Sequence, residues 1–441
     1  MKKVLVLAYE FPPYISVAGL RPLSWAKYGA EFGMETTVVT RQWENHYSSE
    51  LDYIAPSKLN KTITEKNDQY TIIKAPYFPT FSNRLLLKFG KNRFRLIRKT
   101  ATVLLEIFQY FLPVGSKRTL YLAANECLQN NQFDAIIATG DPFVMFHYAK
   151  KLSEIHQIPW IADYRDTWSN DISISKKIGF KQLSRIIEKR TVSSCAAITT
   201  VSPFIAQKIL EINSKTVHIL PNGFDPEVVV PHQKVNQNSR VLRIAHAGSI
   251  FDWHPYEHFL ITVAQFLVED ENRKIELFFY GLNNETAIQK IITNYPILKN
   301  TVKIFPKVPN SQLIKFLKEC NVTLLFNYYS FMGTKIYDYL AVERQIILCF
   351  ENDPVAQKLK QQHYTIEEPK NLSNSLQKDL IEKCNAGTSI QDDKHLKSVL
   401  QSLLDEFDET GQIQWRGSNI EKYSRKGQVK KLCAIIQNDL T

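Results

Sequence analysis

The chain has 441 residues, of which 44% are hydrophobic and 22% charged, and carries a formal net charge of +11. That length is too great for one ordinary core and points to two or three domains, while the composition is that of a globular chain rather than a disordered or fibrous one. No run approaches the roughly 18–20 apolar residues of a spanning helix, and Cys127, Cys195, Cys320, Cys349, Cys384 and Cys433 are scattered without a CxxC pair, which argues against a disulfide scaffold or zinc ribbon and for reduced thiols in a cytoplasmic protein.

The opening run from Met1 to Ala8 is too short for a signal peptide and passes at once into Tyr9-Glu10-Phe11-Pro12-Pro13, so it reads as a first buried strand. A helix is expected over Leu20–Phe32, stopped by Gly33, and a second strand over Glu35–Thr40. Such alternation predicts a parallel, doubly wound sheet. Gly19, at the end of the loop after the first strand, would let backbone approach a ligand there, or is a plain turn glycine. Residues 44–117 break the rhythm and read as an insertion into this first domain. Arg84, Lys88, Lys91, Arg93, Arg95, Arg98 and Lys99 interleave there with leucines and phenylalanines, and no acid follows until Glu106. That pattern fits an anionic membrane surface, the alternative being a solvated basic face over a core contact. The charge is too concentrated for a nucleic-acid partner.

Strands are then expected at Phe133–Thr139, Pro159–Asp166 and Ala196–Val201, with a helix through Met145–Leu152 and another opening at Ser202-Pro203. Asp141, Arg165, Asp166 and Ser202 all fall at strand carboxyl ends, where open α/β sheets bind ligands. Residues 226–240 read as a linker. Alternation restarts with Leu242–Ala247, ending in Gly248-Ser249, and continues through Lys274–Tyr280, Val302–Phe305 (ending in Pro306-Lys307-Val308) and Val322–Phe326.

Gly333-Thr334-Lys335 then opens an amphipathic helix before the strand Ile346–Phe350. Free N–H groups and the helix dipole make such a start an anion site. Lys335 adds a positive charge, and Asp338 places a carboxylate one turn along, suited to ribose hydroxyls. A phosphate end beside a sugar end suggests a nucleotide-sugar. The alternative, an ordinary i,i+3 surface pair, is equally compatible with the spacing.

With these segments in place, the sequence resembles glycosyltransferase family 4, retaining enzymes of the GT-B fold. The resemblance rests on Glu10-Phe11-Pro12-Pro13, Gly33–Thr40, Thr200-Val201-Ser202-Pro203, Leu220-Pro221-Asn222-Gly223-Phe224-Asp225, Ala247-Gly248-Ser249 and Gly333-Thr334-Lys335 through Leu340-Ala341. Arg165-Asp166-Thr167-Trp168 is similar to a subgroup linked to capsule, exopolysaccharide or O-antigen assembly. The implied fold is two doubly wound Rossmann-like domains facing across a cleft. They comprise an acceptor domain (1–225), the linker (226–240), a nucleotide-sugar domain (241–412) and a C-terminal helix (413–441) packing back toward the first domain.

The resemblance implies a donor site of Gly19, Gly248, Ser249, Lys307, Val308, Gly333, Thr334, Lys335 and Asp338. The family's two glutamates, eight positions apart, fall on Ser330 and Asp338, so only the second carboxylate is kept. The Arg and Lys that relatives place after the Gly248 loop are missing, which leaves more of the diphosphate charge to Lys335. Where relatives carry His-Asp, this chain has Arg165-Asp166. Arg165 cannot serve as a base at neutral pH and would order the site or pair with Asp141 or phosphate. Asp141 or Asp166 would orient the acceptor hydroxyl, or equally cap a strand end.

The expected activity is retaining transfer from a nucleoside-diphosphate sugar to a lipid-linked glycan acceptor in surface polysaccharide synthesis. It would need no metal or cofactor, and the enzyme would be cytoplasmic or peripheral at the inner face of the membrane. Two alternatives are a catalytically weak nucleotide- or glycan-binding partner subunit, and a nucleotide-sugar epimerase of the same build.

Overall fold

The computed structural model describes residues 1–14, 16–44, 51–169, 180–231, 235–270, 272–366, 368 and 371–440. It divides into two units, Met1–Asn222 with Arg425–Thr441, and Gly223–Ser424.

In the first unit Val4, Leu5, Val6 and Leu7 are all buried, as expected of a parallel strand covered on both faces. The elements follow as β1 (Lys2–Leu7), α1 (Val17–Gly29), β2 (Met34–Arg41), β3 (Ile63–Lys66), β4 (Tyr70–Ala75), α2 (Phe81–Phe89), α3 (Arg95–Phe108) and α4 (Arg118–Asn130). Then come β5 (Ala135–Gly140), α5 (Val144–His156), β6 (Trp160–Tyr164), α6 (Phe180–Val192), β7 (Ala197–Thr200), α7 (Pro203–Leu210) and β8 (Val217–Ile219). The sheet order is β3-β4-β2-β1-β5-β6-β7-β8. Every pairing is parallel except β3 with β4. The strand order turns outward in both directions from β1 and β5, so the crevice of this unit lies at their carboxyl ends.

The insertion expected over residues 44–117 is narrower than its irregular sequence suggests. β4 pairs with β2 and carries the sheet onward, and β3 folds back on β4 as an antiparallel edge; residues 45–50 lie outside the described residues. The interior also holds an ion pair that the apolar pattern hides. Arg21 on α1 donates to the Asp163 carboxylate on β6 at 2.7 and 3.1 Å, and Asp163 further accepts from Thr139 at 2.9 Å and Thr199 at 2.6 Å. Arg21 also donates to the carbonyl of Leu220 at 2.7 Å. Four elements and a loop are thereby tied at one point.

The second unit comprises β9 (Leu242–Ala247), α8 (Tyr256–Val268), β10 (Ile275–Tyr280), α9 (Glu285–Asn294), α10 (Leu298–Thr301), β11 (Val302–Phe305), α11 (Asn310–Glu319), β12 (Val322–Phe326) and α12 (Lys335–Val342). It continues with β13 (Gln345–Cys349), α13 (Pro354–His363), α14 (Leu376–Lys383), β14 (Gly387–Ser389) and α15 (Asp393–Thr410). Its sheet, β11-β10-β9-β12-β13-β14, is wholly parallel. One face packs on Phe259, Leu260, Leu400 and Leu404, the other on Ile336, Leu340 and Leu380. Here the switch point falls between β9 and β12, which aims the loops after Ala247 and Phe326 at one crevice.

The unit boundaries differ from those expected. The described part of the 226–240 stretch is no free linker, because Val229 is buried in the second core while Lys318 and Arg344 donate to the carbonyls of Val230 and Val235 at 2.7 and 3.0 Å. Residues 413–424 likewise belong to the second unit, with Ile413 and Ile420 in its cores. The last helix, α16 (Arg425–Asp439), belongs to the first. Its Val429, Leu432, Cys433 and Ile436 enter the core formed by Val4, Val6, Trp25 and Met34. No described helix is long and apolar enough to cross a membrane.

Candidate functional site

In the second unit, β9 ends at Ala247 and the chain turns through Gly248 with φ +101°. That left-handed conformation suits glycine, and the neighbour makes glycine necessary. A Cβ there would lie 1.5 Å from the Lys335 nitrogen and 2.4 Å from its Cε. The Lys335 ammonium donates to the Ala247 carbonyl. Ala247 is held in turn, since its N–H donates to the Tyr339 hydroxyl at 2.8 Å, one turn further along α12. Thr334 caps α12 without a side-chain hydrogen bond, and the Lys335 side chain reaches from the first residue of that helix to the end of β9.

Burial lowers the Lys335 pKa to about 8, with the Asp338 carboxylate pulling it back up and Lys307 pushing it further down. The three side chains therefore share one field. Lys307 is exposed, while Val308, Ser249, Gly333, Thr334 and Asp338 are half-buried. His246, on the same strand end, is buried and kept neutral, its pKa lowered to about 4 by burial and then by the Lys335 charge.

The loop from Asn327 to Thr334 is built by polar clamps. Gln377, from α14, accepts from the Tyr328 N–H at 2.8 Å, and Asn327 accepts from that of Tyr329 at 2.7 Å. Ser330 is fully buried, and its hydroxyl lies 3.2 Å from that of Tyr364. Ser330, where the resemblance implies a carboxylate, therefore faces a phenol instead. Around it stand the Tyr328 ring, Phe251 stacked on Trp253 at 4.5 Å, and His254 at 5.0 Å from Tyr328. Tyr328 also lies 3.8 Å from the space a Cβ at Gly333 would take. These rings stand where the resemblance implies Arg and Lys after the Gly248 loop. Gln377 and Tyr364 were invisible to motif reading, because they come from helices and loops far along the chain.

In the first unit Asp141 and Arg165 meet at the carboxyl ends of β5 and β6. The Arg165 guanidinium donates to the carbonyls of Gly140, at 2.9 Å, and Asp141. Asp166 is exposed beside them, whereas Trp168 is buried and stacks on Phe143 at 5.0 Å. Part of the Arg165–Trp168 motif is therefore core. Gly19 sits in the first turn of α1, where a Cβ would come within 3.3 Å of the Phe11 backbone. Its smallness serves helix-to-loop packing here. Lys117, which sequence reading passed over, holds its ammonium 5.3 Å from the centre of the Tyr9 ring. Burial lowers its pKa, and Glu106 and Asp141 oppose that shift. Beside it Arg41 lies between the rings of Trp43 and Tyr77, at 4.2 and 3.6 Å. A groove of about 430 Å³ lined by Lys3, Glu35, Asn130 and Phe133 opens at the opposite, amino-terminal end of this sheet. Ligands of open α/β sheets bind at carboxyl ends, so the groove is set aside.

Two parallel, doubly wound units, each with its polar residues at strand carboxyl ends, define the GT-B class of fold. Residues 98–228 match the model of Glycosyltransferase Family 4. Similar solved structures include a sucrose-phosphate synthase from Thermosynechococcus elongatus, at 12% identity and TM-score 0.54, covering 99% of this chain and 95% of that one. A UDP-forming α,α-trehalose-phosphate synthase from Burkholderia xenovorans aligns over all of both chains at 9% identity and TM-score 0.55. The Anabaena protein HepE, solved in complex with UDP-glucose, is 11% identical at TM-score 0.52, with 98% of each chain covered. No curated protein sequence matches significantly.

Proposed function

We propose that this chain is a retaining glycosyltransferase that takes a sugar from a nucleoside-diphosphate donor held by the second unit and passes it to an acceptor on the first. The observation that carries the reading is the Lys335 ammonium lodged against Gly248 at the amino end of α12, with Asp338 one turn away. The diphosphate takes the ammonium and the helix N–H groups, and the ribose hydroxyls take Asp338. As the bond from the anomeric carbon to the diphosphate oxygen breaks, charge builds on the leaving group. Preorganised donors stabilise that charge most in the transition state. The acceptor oxygen bonds to the anomeric carbon on the face the diphosphate leaves, and its proton passes to the departing phosphate. Asp141 and Asp166 orient the acceptor, while Arg165 shapes their loop through the Gly140 and Asp141 carbonyls.

The match over residues 98–228 favours transfer over epimerisation. The acceptor we infer is a lipid-linked glycan in surface polysaccharide synthesis, and the setting is the cytoplasm, in keeping with six free thiols. Thermal stabilisation against a panel of nucleotide-sugars tests the donor site, since a ligand at 100 times its Kd adds about 2.7 kcal/mol. Stabilisation by none of them, or by free sugars alone, would defeat the reading. Turnover unchanged by a chelator tests its metal independence.

A further inference from the structure

The helices α2 and α3 pack against each other as a pair. Between them lie hydroxyls: Thr102 donates to Ser82 at 2.9 Å, and Ser82 to the Arg98 carbonyl at 3.1 Å. Ser82 is the one buried residue of α2, and α3 has none. Outward stand Leu96 at 80% exposure, Ile97 at 53%, Leu104 at 50% and Phe108 at 53%. Ile97, Leu104 and Phe108 recur at i, i+7 and i+11, which places them on one stripe of the helix. Phe111 and Leu112, each 56% exposed, extend the apolar surface past its end. Scattered exposed apolar residues are ordinary, but a stripe of them is not. Elsewhere on the hairpin Arg84, Lys88, Arg93, Arg95 and Lys99 are exposed, Arg95 and Lys99 on the side of α3 away from the stripe.

We propose that this hairpin docks the protein on an anionic bilayer, with the α3 stripe sunk among the acyl chains and the arginine and lysine side chains on lipid phosphates. An amphipathic helix with a basic polar face and large apolar side chains on the other lies in such an interface. The charge complementarity selects this occupant. An apolar partner surface would leave the hairpin's basic residues without counter-charge, and a second copy would bring two such basic hairpins together. The inference stands apart from the donor-site reading.

The test uses the full chain and vesicles of phosphatidylcholine with or without phosphatidylglycerol. The chain is expected to co-sediment with the anionic vesicles and to be released by salt. Arg93→Gln with Arg95→Gln should lower membrane affinity about 25-fold, from about fivefold per basic residue, and Ile97→Asp with Leu104→Asp should abolish binding. Nucleotide-sugar stabilisation should be unchanged in both pairs, because all four side chains are exposed in the first unit. Equal binding to neutral vesicles, or full binding by the Asp variant, would overturn the proposal. So would lipid-free self-association that the Asp variant abolishes. Vesicle binding without nucleotide-sugar stabilisation would leave the docking surface standing and defeat only the donor reading.

Discussion

A Cβ on Gly248 would stand 1.5 Å from the Lys335 nitrogen, so these two residues, far apart in sequence, define each other's space. Gly248→Ala should displace the ammonium, which is the flexible end of a long side chain, at modest cost to folding. The left-handed backbone adds about 1–2 kcal/mol. Donor affinity should fall tenfold or more while the protein stays folded, as read by titration with UDP-glucose alongside a thermal melt.

The lowered pKa of Lys335 gives the proposed donor site a pH signature. With the free amine titrating near 8, a bound diphosphate that favours the charged form raises that value. Binding at pH 8.5 should therefore take up protons, and binding at pH 6.5, where the amine is already charged, should not. Calorimetry in two buffers of different ionisation enthalpy measures the difference. Lys335→Ala should remove the uptake. In the unliganded protein the sign runs the other way: the folded state disfavours the proton, so this group makes stability rise with pH between about 8 and the usual lysine value.

Introducing at Ser330 the carboxylate that the resemblance implies should not create a working site. The position is fully buried against the Tyr364 hydroxyl, and a longer, ionisable side chain both overpacks it and loses hydration. Ser330→Glu should cost on the order of 3 kcal/mol, seen as a drop in melting temperature. Tyr364→Phe, which keeps the volume, should be far milder.

The Arg21–Asp163 pair predicts an asymmetry. Arg21→Met leaves a buried carboxylate with only the two threonine hydroxyls and should destabilise the first unit by about 3–5 kcal/mol. Arg21→Met with Asp163→Leu removes both charges and should recover much of that loss in urea denaturation.

These four cases also show what the sequence could convey. Alternating apolar runs made both parallel sheets readable, because a strand buried on two faces writes itself as an uninterrupted stretch such as Val4–Leu7. The strand-end glycines and the Gly333-Thr334-Lys335 helix start were readable for the same local reason. Arg21 and Asp163 were not, since a charge on a helix looks solvated until a partner 142 positions away is known to face it. Tyr364 closing over Ser330, Gln377 holding Tyr328 and Lys117 over Tyr9 are likewise long-range contacts that no spacing rule contains. The span 226–240 looked like a tether because its apolar residues are few, yet one buried valine and two cationic side chains fix it to the second unit.

The placement of α16 bears on how the molecule is made. Val429, Leu432, Cys433 and Ile436 fill the same interior as Val4 and Val6 from the opening strand. Synthesis runs from the amino end, so the core around Val4 and Val6 lacks these four side chains until the whole second unit has been translated. The second unit, whose chain is continuous, can close while synthesis is still under way. The interior of its predecessor is completed only by residues that follow the second unit in the chain.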